Sequence, residues 1–213
     1  MAYTVKELFY TLQGEGARSG RPAVFCRFTG CNLWSGREED RGRAACYFCD
    51  TDFVGTDGVG GGTFHSADDV ADTILHRWPA AEGQPLPHAY VVFTGGEPLL
   101  QLDFPLIQAC HRRGFEVAVE TNGTIQAPVG IDWLTVSPKP NSRLVQRQGS
   151  ELKLVFPHEV RPEDVAHLDF QHFYLQPMDG PHRQDNTRLA VEYCQAHPQW
   201  RLSLQMHKVI GIP

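Results

Sequence analysis

AYVVFTGGEPLLQLDFPLIQACHRRGFEVAVE, residues 89–120, decides the fold. It opens as a strand (89–93) and turns through Gly95 and Gly96. A helix follows that Asp103 can cap and Gly114 stops, and the chain returns as a second strand over 115–120. A strand–helix–strand unit of this length joins parallel neighbours through a right-handed crossover. Working outward, PAVFCRF (22–28), WLTVS (133–137), ELKLVF (151–156), HFYLQ (172–176) and RLSLQMH (201–207) also read as strands. Ser66 caps a helix with Val70, Ile74, Leu75 and Trp78 at helical spacing; Pro162 starts a short helix, and another covers 186–197. The expected class is α/β: a single domain over 1–213 built as a partial, open barrel of about six parallel strands with helices outside. So few units cannot close the usual eightfold barrel, and a doubly wound sheet is the alternative. A long loop over 31–63 interrupts the alternation.

The strands carry a second pattern. Val24, Cys26 and Phe28 share one face, with Arg27 on the other; Leu152, Leu154 and Phe156 oppose Glu151 and Lys153. Leu202, Leu204 and Met206 oppose Gln205 and His207, and Val117 and Val119 oppose Glu116 and Glu120. An antiparallel sheet with one wet face would look the same. With helices covering the apolar side, the polar set faces a lumen instead, where Arg27, Glu120, Lys153, Gln205 and His207 converge and a charged ligand partners them.

The net charge of −6 offers no basic patch, so no nucleic-acid partner is expected. MAYTVKELF is neither an export signal nor part of a membrane span, so the expected setting is cytoplasmic, with reduced thiols and no membrane contact.

Cys31, Cys46 and Cys49 fall in the long loop with spacing C-x14-C-x2-C. A structural zinc wants four ligands, and only His65, beyond a glycine run, offers a fourth. Three thiolates suit a 4Fe–4S cluster with one iron left open. On spacing alone cluster and zinc stand level. Cys26, Cys110 and Cys194 lie at apolar positions and read as core thiols. His65, His88, His158 and His182 read as surface residues.

The aromatic at Phe48 before Cys49, and TGGEP (94–98) directly after a strand, resemble the radical S-adenosylmethionine (SAM) superfamily. The first cysteine gap departs from it, with fourteen residues where that superfamily has three. YTLQGEG (10–16), Arg27, Cys49-Asp50-Thr51, ETNG (120–123), SPK (137–139), QPMD (176–179) and LQMHK (204–208) narrow the likeness. Over essentially its whole length the chain is similar to the 7-carboxy-7-deazaguanine synthase family. The resemblance implies a small, modified radical SAM barrel. It implies a lyase that turns 6-carboxy-5,6,7,8-tetrahydropterin into 7-carboxy-7-deazaguanine with loss of ammonia, towards queuosine. It also implies SAM, a 4Fe–4S cluster on Cys31, Cys46 and Cys49, Mg2+, an external electron donor and a homodimer.

Motif by motif, the resemblance assigns Leu12, Gln13, Gly14, Arg27, Thr94 and the carboxylate of Pro213 to the pterin. It assigns Phe48, Cys49, Asp50, Gly96, Ser137, Pro138, Lys139, Gln176, Pro177, Met178 and Asp179 to SAM, and Thr51 to magnesium. Glu97 is expected to accept from the SAM ammonium. Plainer readings stand beside these: Gln13 and Glu15 as an ordinary turn, Thr51 as a turn cap, Asp50 as surface, Pro213 as a frayed end. Two rival functions are a glycyl-radical activating enzyme, which would need a protein substrate, and a colourless zinc-stabilised binding domain.

Overall fold

Apolar residues at alternate strand positions have to be covered, and helices cover them. In the computed structural model, which describes residues 2–79 and 86–213, β4 (Tyr90–Gly95), α2 (Phe104–Arg112) and β5 (Glu116–Thr121) form the unit read from sequence. Asp103 caps α2 by accepting from Leu106 N–H at 3.1 Å. Upstream lie β1 (Tyr3–Leu12), β2 (Pro22–Phe28), β3 (Gly62–Phe64) and α1 (Ala67–Arg77). Ser66 and Asp69 close a reciprocal capping box at the start of α1. Downstream follow β6 (Trp133–Val136), β7 (Gln148–Phe156), α3 (Pro162–Val165), β8 (Asp169–Pro177), α4 (Arg183–Ala196), β9 (Trp200–Leu202) and α5 (Met206–Ile210).

Among the described residues the strands form one open sheet in the order β3-β1-β2-β4-β5-β6-β7-β8-β9. From β2 to β9 all neighbours are parallel, while β1 and β3 extend one edge antiparallel. Three expectations are corrected. Residues 3–12, not read as a strand, are one of the longest in the sheet. The strand expected over 201–207 stops at Leu202, and Met206 begins a helix. The loop over 31–63 holds a 3-10 helix, Glu38–Arg43, and ends in β3.

On the helix side Val24, Cys26, Phe93, Val117, Val119 and Leu154 are fully buried beside Val70 and Ile74 of α1 and Leu106 and Ile107 of α2. Each such large apolar side chain contributes roughly 1.5–3 kcal/mol. That face stabilises the fold and leaves the other free for polar groups. On the second face, Ala23, Tyr90, Val92 and Ala118 form a small apolar floor. Arg21 lies over the Tyr90 ring at 3.9 Å and Arg18 over Trp133 at 4.3 Å, and both pair with Glu116. This plugs the amino ends of the strands, so the polar residues gather at their carboxyl ends, where open parallel sheets bind ligands.

Candidate active site

A cavity of about 360 Å³ opens there, a size that suits a small molecule. Arg27, Glu120, Lys153, Gln205 and His207 all line it, as the lumen reading expected. Two of them, Gln205 at the N-cap of α5 and His207 within it, reach the cavity from that helix rather than from a strand.

The floor of the site is a charge cluster. Lys153, buried at the middle of β7, is held by Glu15 and by Glu120 at 3.4 Å, and Gln13 donates to Glu120 at 3.0 Å. Burial opposes ionisation of Glu15, yet the Lys153 ammonium holds its carboxyl below the ordinary range. Glu151, below the cavity, accepts from Ala17 N–H at 2.7 Å. Burial pushes its carboxyl up to about 7 against the pull of Lys153. The segment carrying Gln13 and Glu15 is therefore no ordinary turn; it delivers both side chains into a buried ionic network.

Above this floor sit the cysteines. Cys31 follows β2, while Cys46 and Cys49 end the inserted loop, and all three thiols line the same cavity. The fourteen-residue insertion folds back on itself. Arg41 lies 4.2 Å over the Trp34 ring and donates to Tyr47 O and Cys49 O at 2.8 and 2.9 Å, and Trp34 packs edge-on against Phe53. The long gap thus returns Cys46 beside Cys31. Cys46 donates its S–H to Cys49, which lowers the Cys49 thiol to about 6 and raises that of Cys46. Among the described residues no three His, Cys, Asp or Glu converge as ligands of a single ion. Separate thiols around one opening fit a cluster, in which each iron takes one thiolate.

Of the residues assigned by resemblance, Leu12, Gln13, Gly14, Arg27, Thr94 and Pro213 line the cavity, and Pro213 O accepts from Thr11 Oγ1 at 2.9 Å. Phe48, Asp50, Thr51, Gly96, Ser137 and Lys139 line it, as do Gln176, Pro177, Met178 and Asp179. Pro138 is buried outside the lining. Asp50 and Asp179 both accept from Lys208 at 2.6 Å, so α5 straps the mouth.

Two expectations fail here. Glu97 does not face the cavity: it is fully buried and accepts from Leu99 N–H, Thr121 Oγ1 and Asn122 N–H at 3.0, 2.7 and 2.7 Å. Its carboxylate staples the GGEP turn to the Glu120–Gly123 segment and leaves only the Gly95–Gly96 backbone for a ligand. His158 is no surface residue: it stacks on Phe48 at 5.4 Å, and burial lowers its pKa to about 4. Sequence reading missed Glu7, Phe9 and Thr11, which line the cavity from β1. Their alternation with Leu8 is the available signal, broken by a bulge between Val5 and Glu7.

No protein-family model matches the chain. Full-length relatives do. The 7-carboxy-7-deazaguanine synthase of Bordetella pertussis is 65% identical over 214 residues, with all of both chains covered. That of Caulobacter vibrioides is 61% identical over 214 residues, again with both chains covered throughout. The crystal structure of QueE from Escherichia coli matches with a TM-score of 0.70 at 30% identity, over 97% of this chain and 95% of that one. A cavity ringed by three thiols and floored by a buried ionic network, in a chain this similar end to end, leaves one assignment: it belongs to the 7-carboxy-7-deazaguanine synthase family.

Proposed function

We propose that the chain performs its family's reaction, converting 6-carboxy-5,6,7,8-tetrahydropterin to 7-carboxy-7-deazaguanine with loss of ammonia, as a radical SAM lyase of queuosine biosynthesis on a partial radical SAM barrel. The observation that carries this is the meeting of Cys31, Cys46 and Cys49 with the Gln13–Glu120–Lys153 network and Arg27 around one cavity. The three thiolates of Cys31, Cys46 and Cys49 would hold a 4Fe–4S cluster, which, fed by an external donor, would supply the electron for splitting SAM.

This chain's own residues bind and orient. Arg27 meets the substrate carboxylate with a planar fork. Glu120 and Glu15 accept from the pterin's ring and amino N–H groups, and Lys153 pairs with both from below. Phe9 and Phe25, stacked at 5.5 Å and 10°, form a flat apolar wall and help exclude water. The Gly95–Gly96 backbone would accept from the SAM ammonium, and Phe48 with the 137–139 and 176–179 segments would hold its adenosine. Thr51, which lines the cavity, would offer its hydroxyl oxygen to Mg2+, a hard cation that takes oxygen ligands. Pro213 closes the mouth, and a homodimer is the expected assembly.

The test is turnover. Anaerobically reconstituted protein given carboxytetrahydropterin, SAM, Mg2+ and a reductant should yield 7-carboxy-7-deazaguanine by mass. Protein with a full cluster complement that leaves the pterin untouched would overturn the reading.

A further inference from the structure

The bulge in β1 has a chemical consequence. Before it, Tyr3 and Val5 point into the core, and Val5 pairs with Phe28 of β2. An unbroken ladder would keep Glu7 on that same apolar face. The bulge inserts Lys6 and flips the parity, so Glu7 pairs with Arg27, and Glu7, Phe9 and Thr11 turn to the cavity while Leu8 is buried. The feature is held in place from outside: Gly58 N–H donates to Lys6 O at 3.0 Å, Leu8 N–H donates to Val59 O at 2.7 Å, and Lys6 Nζ binds Val54 O and Asp57.

What the flip achieves is an ion pair of one particular geometry. Arg27 Nε donates to Glu7 Oε1 at 2.8 Å, and this is the guanidinium's one hydrogen bond among the described residues. A guanidinium presents donors along two edges. Glu7 occupies Nε on the inner one, which leaves the Nη1–Nη2 edge for a second carboxylate. With the Arg27 side chain only 19% exposed, the pair is screened less than a surface pair.

We propose that Glu7 is a positioning residue for substrate recognition: by pinning Arg27 at Nε it holds the terminal fork of the guanidinium ready for the carboxylate of the pterin. The inference rests on the carboxypterin reading above. Glu7 touches no substrate atom and acts through Arg27 alone, so its loss should be felt by ligands that bear the carboxylate and not by those that lack it.

Three proteins and two ligands test this, with cluster content and SAM affinity measured alongside. Glu7→Ala should raise KM for carboxytetrahydropterin about tenfold, the size expected for a lost charge-assisted hydrogen bond, with kcat nearly unchanged. Its affinity for tetrahydropterin without the carboxylate, read as competitive inhibition, should match the wild type. Glu7→Gln, whose amide oxygen can still accept from Nε, should fall between the two. An unchanged KM in Glu7→Ala, equal losses for both ligands, or Glu7→Gln as impaired as Glu7→Ala would each overturn the proposal. Should Glu7→Ala fail to fold, Glu7→Asp, charged but too short to reach Nε, replaces it under the same criteria. If the wild type itself neither binds nor converts carboxytetrahydropterin, the functional reading fails instead.

Discussion

Cys49 differs from the chain's core thiols in what surrounds it. Its sulfur takes a hydrogen bond from Cys46 and another from Thr51 N–H and ionises near pH 6, whereas burial keeps Cys26 and Cys110 protonated. Replacing Cys31, Cys46 or Cys49 with Ala should therefore abolish iron binding and SAM cleavage, and Cys110→Ala should retain both; equal iron loss in Cys110→Ala would refute the ligand set. Thr51 lines the same cavity, and as an oxygen donor it is replaced in shape but not in chemistry by Val. Thr51→Val should lower magnesium-dependent turnover with cluster content unchanged, and an unaltered magnesium titration would remove Thr51 from the site. Glu151 gives a prediction in stability. Burial raises its carboxyl from 4.5 to about 7 on folding. A raised acid favours the folded state's protonated form, so its ionisation destabilises the fold progressively as pH rises from about 4.5 to 7, by roughly 3 kcal/mol in full. Glu151→Gln keeps an acceptor for Ala17 N–H and should be more stable than wild type at pH 8, with the gap closing at pH 5. Denaturant midpoints at the two values decide, and a gap that widens on acidification contradicts the assignment.

At the scale of elements, caps were legible and breaks were not. Ser66 and Asp103 announce α1 and α2 because a side-chain oxygen before an apolar periodic run has one obvious use. Strand β1, second from the edge, escaped because its bulge breaks the period of two at Lys6. The last strand was overextended because Leu202, Leu204 and Met206 keep alternating while the backbone has already turned into α5. Glycine placement was half legible. Gly95 and Gly96 marked a turn, but the need for them lies in tertiary contact: a Cβ on Gly96 would meet Gly30 O at 2.2 Å and Cys31 Cβ at 2.7 Å. Gly96→Ala should thus push the Cys31 segment away, costing about 1–3 kcal/mol and part of the bound iron. Urea melts and iron analysis check both, and a variant wild-type in each would show that the two segments are not in contact.

Across the whole molecule, the polar lumen followed from one constraint: a parallel sheet wrapped by helices on its apolar side must turn its remaining side chains inward. That placed Arg27, Glu120 and Lys153 together from sequence, and the structure brings them to one cavity. Glu97 shows the limit of such reasoning. Its motif points to ligand binding, yet its carboxylate is consumed by Thr121, Asn122 and Leu99, a pairing no local pattern encodes. The strap of Lys208 across Asp50 and Asp179 is equally remote in sequence. No helix among the described residues is long and apolar enough to cross a membrane. If the thiol-ringed mouth and the ionic floor are one site, the pterin lies against SAM and would give the hydrogen atom on its C6 to the 5′-deoxyadenosyl fragment of SAM. Deuterium placed at C6 of carboxytetrahydropterin, followed by mass analysis of the 5′-deoxyadenosine released during turnover, tests this arrangement. That 5′-deoxyadenosine should carry deuterium; product formed alongside wholly unlabelled 5′-deoxyadenosine would show that the pterin and SAM do not meet in one site.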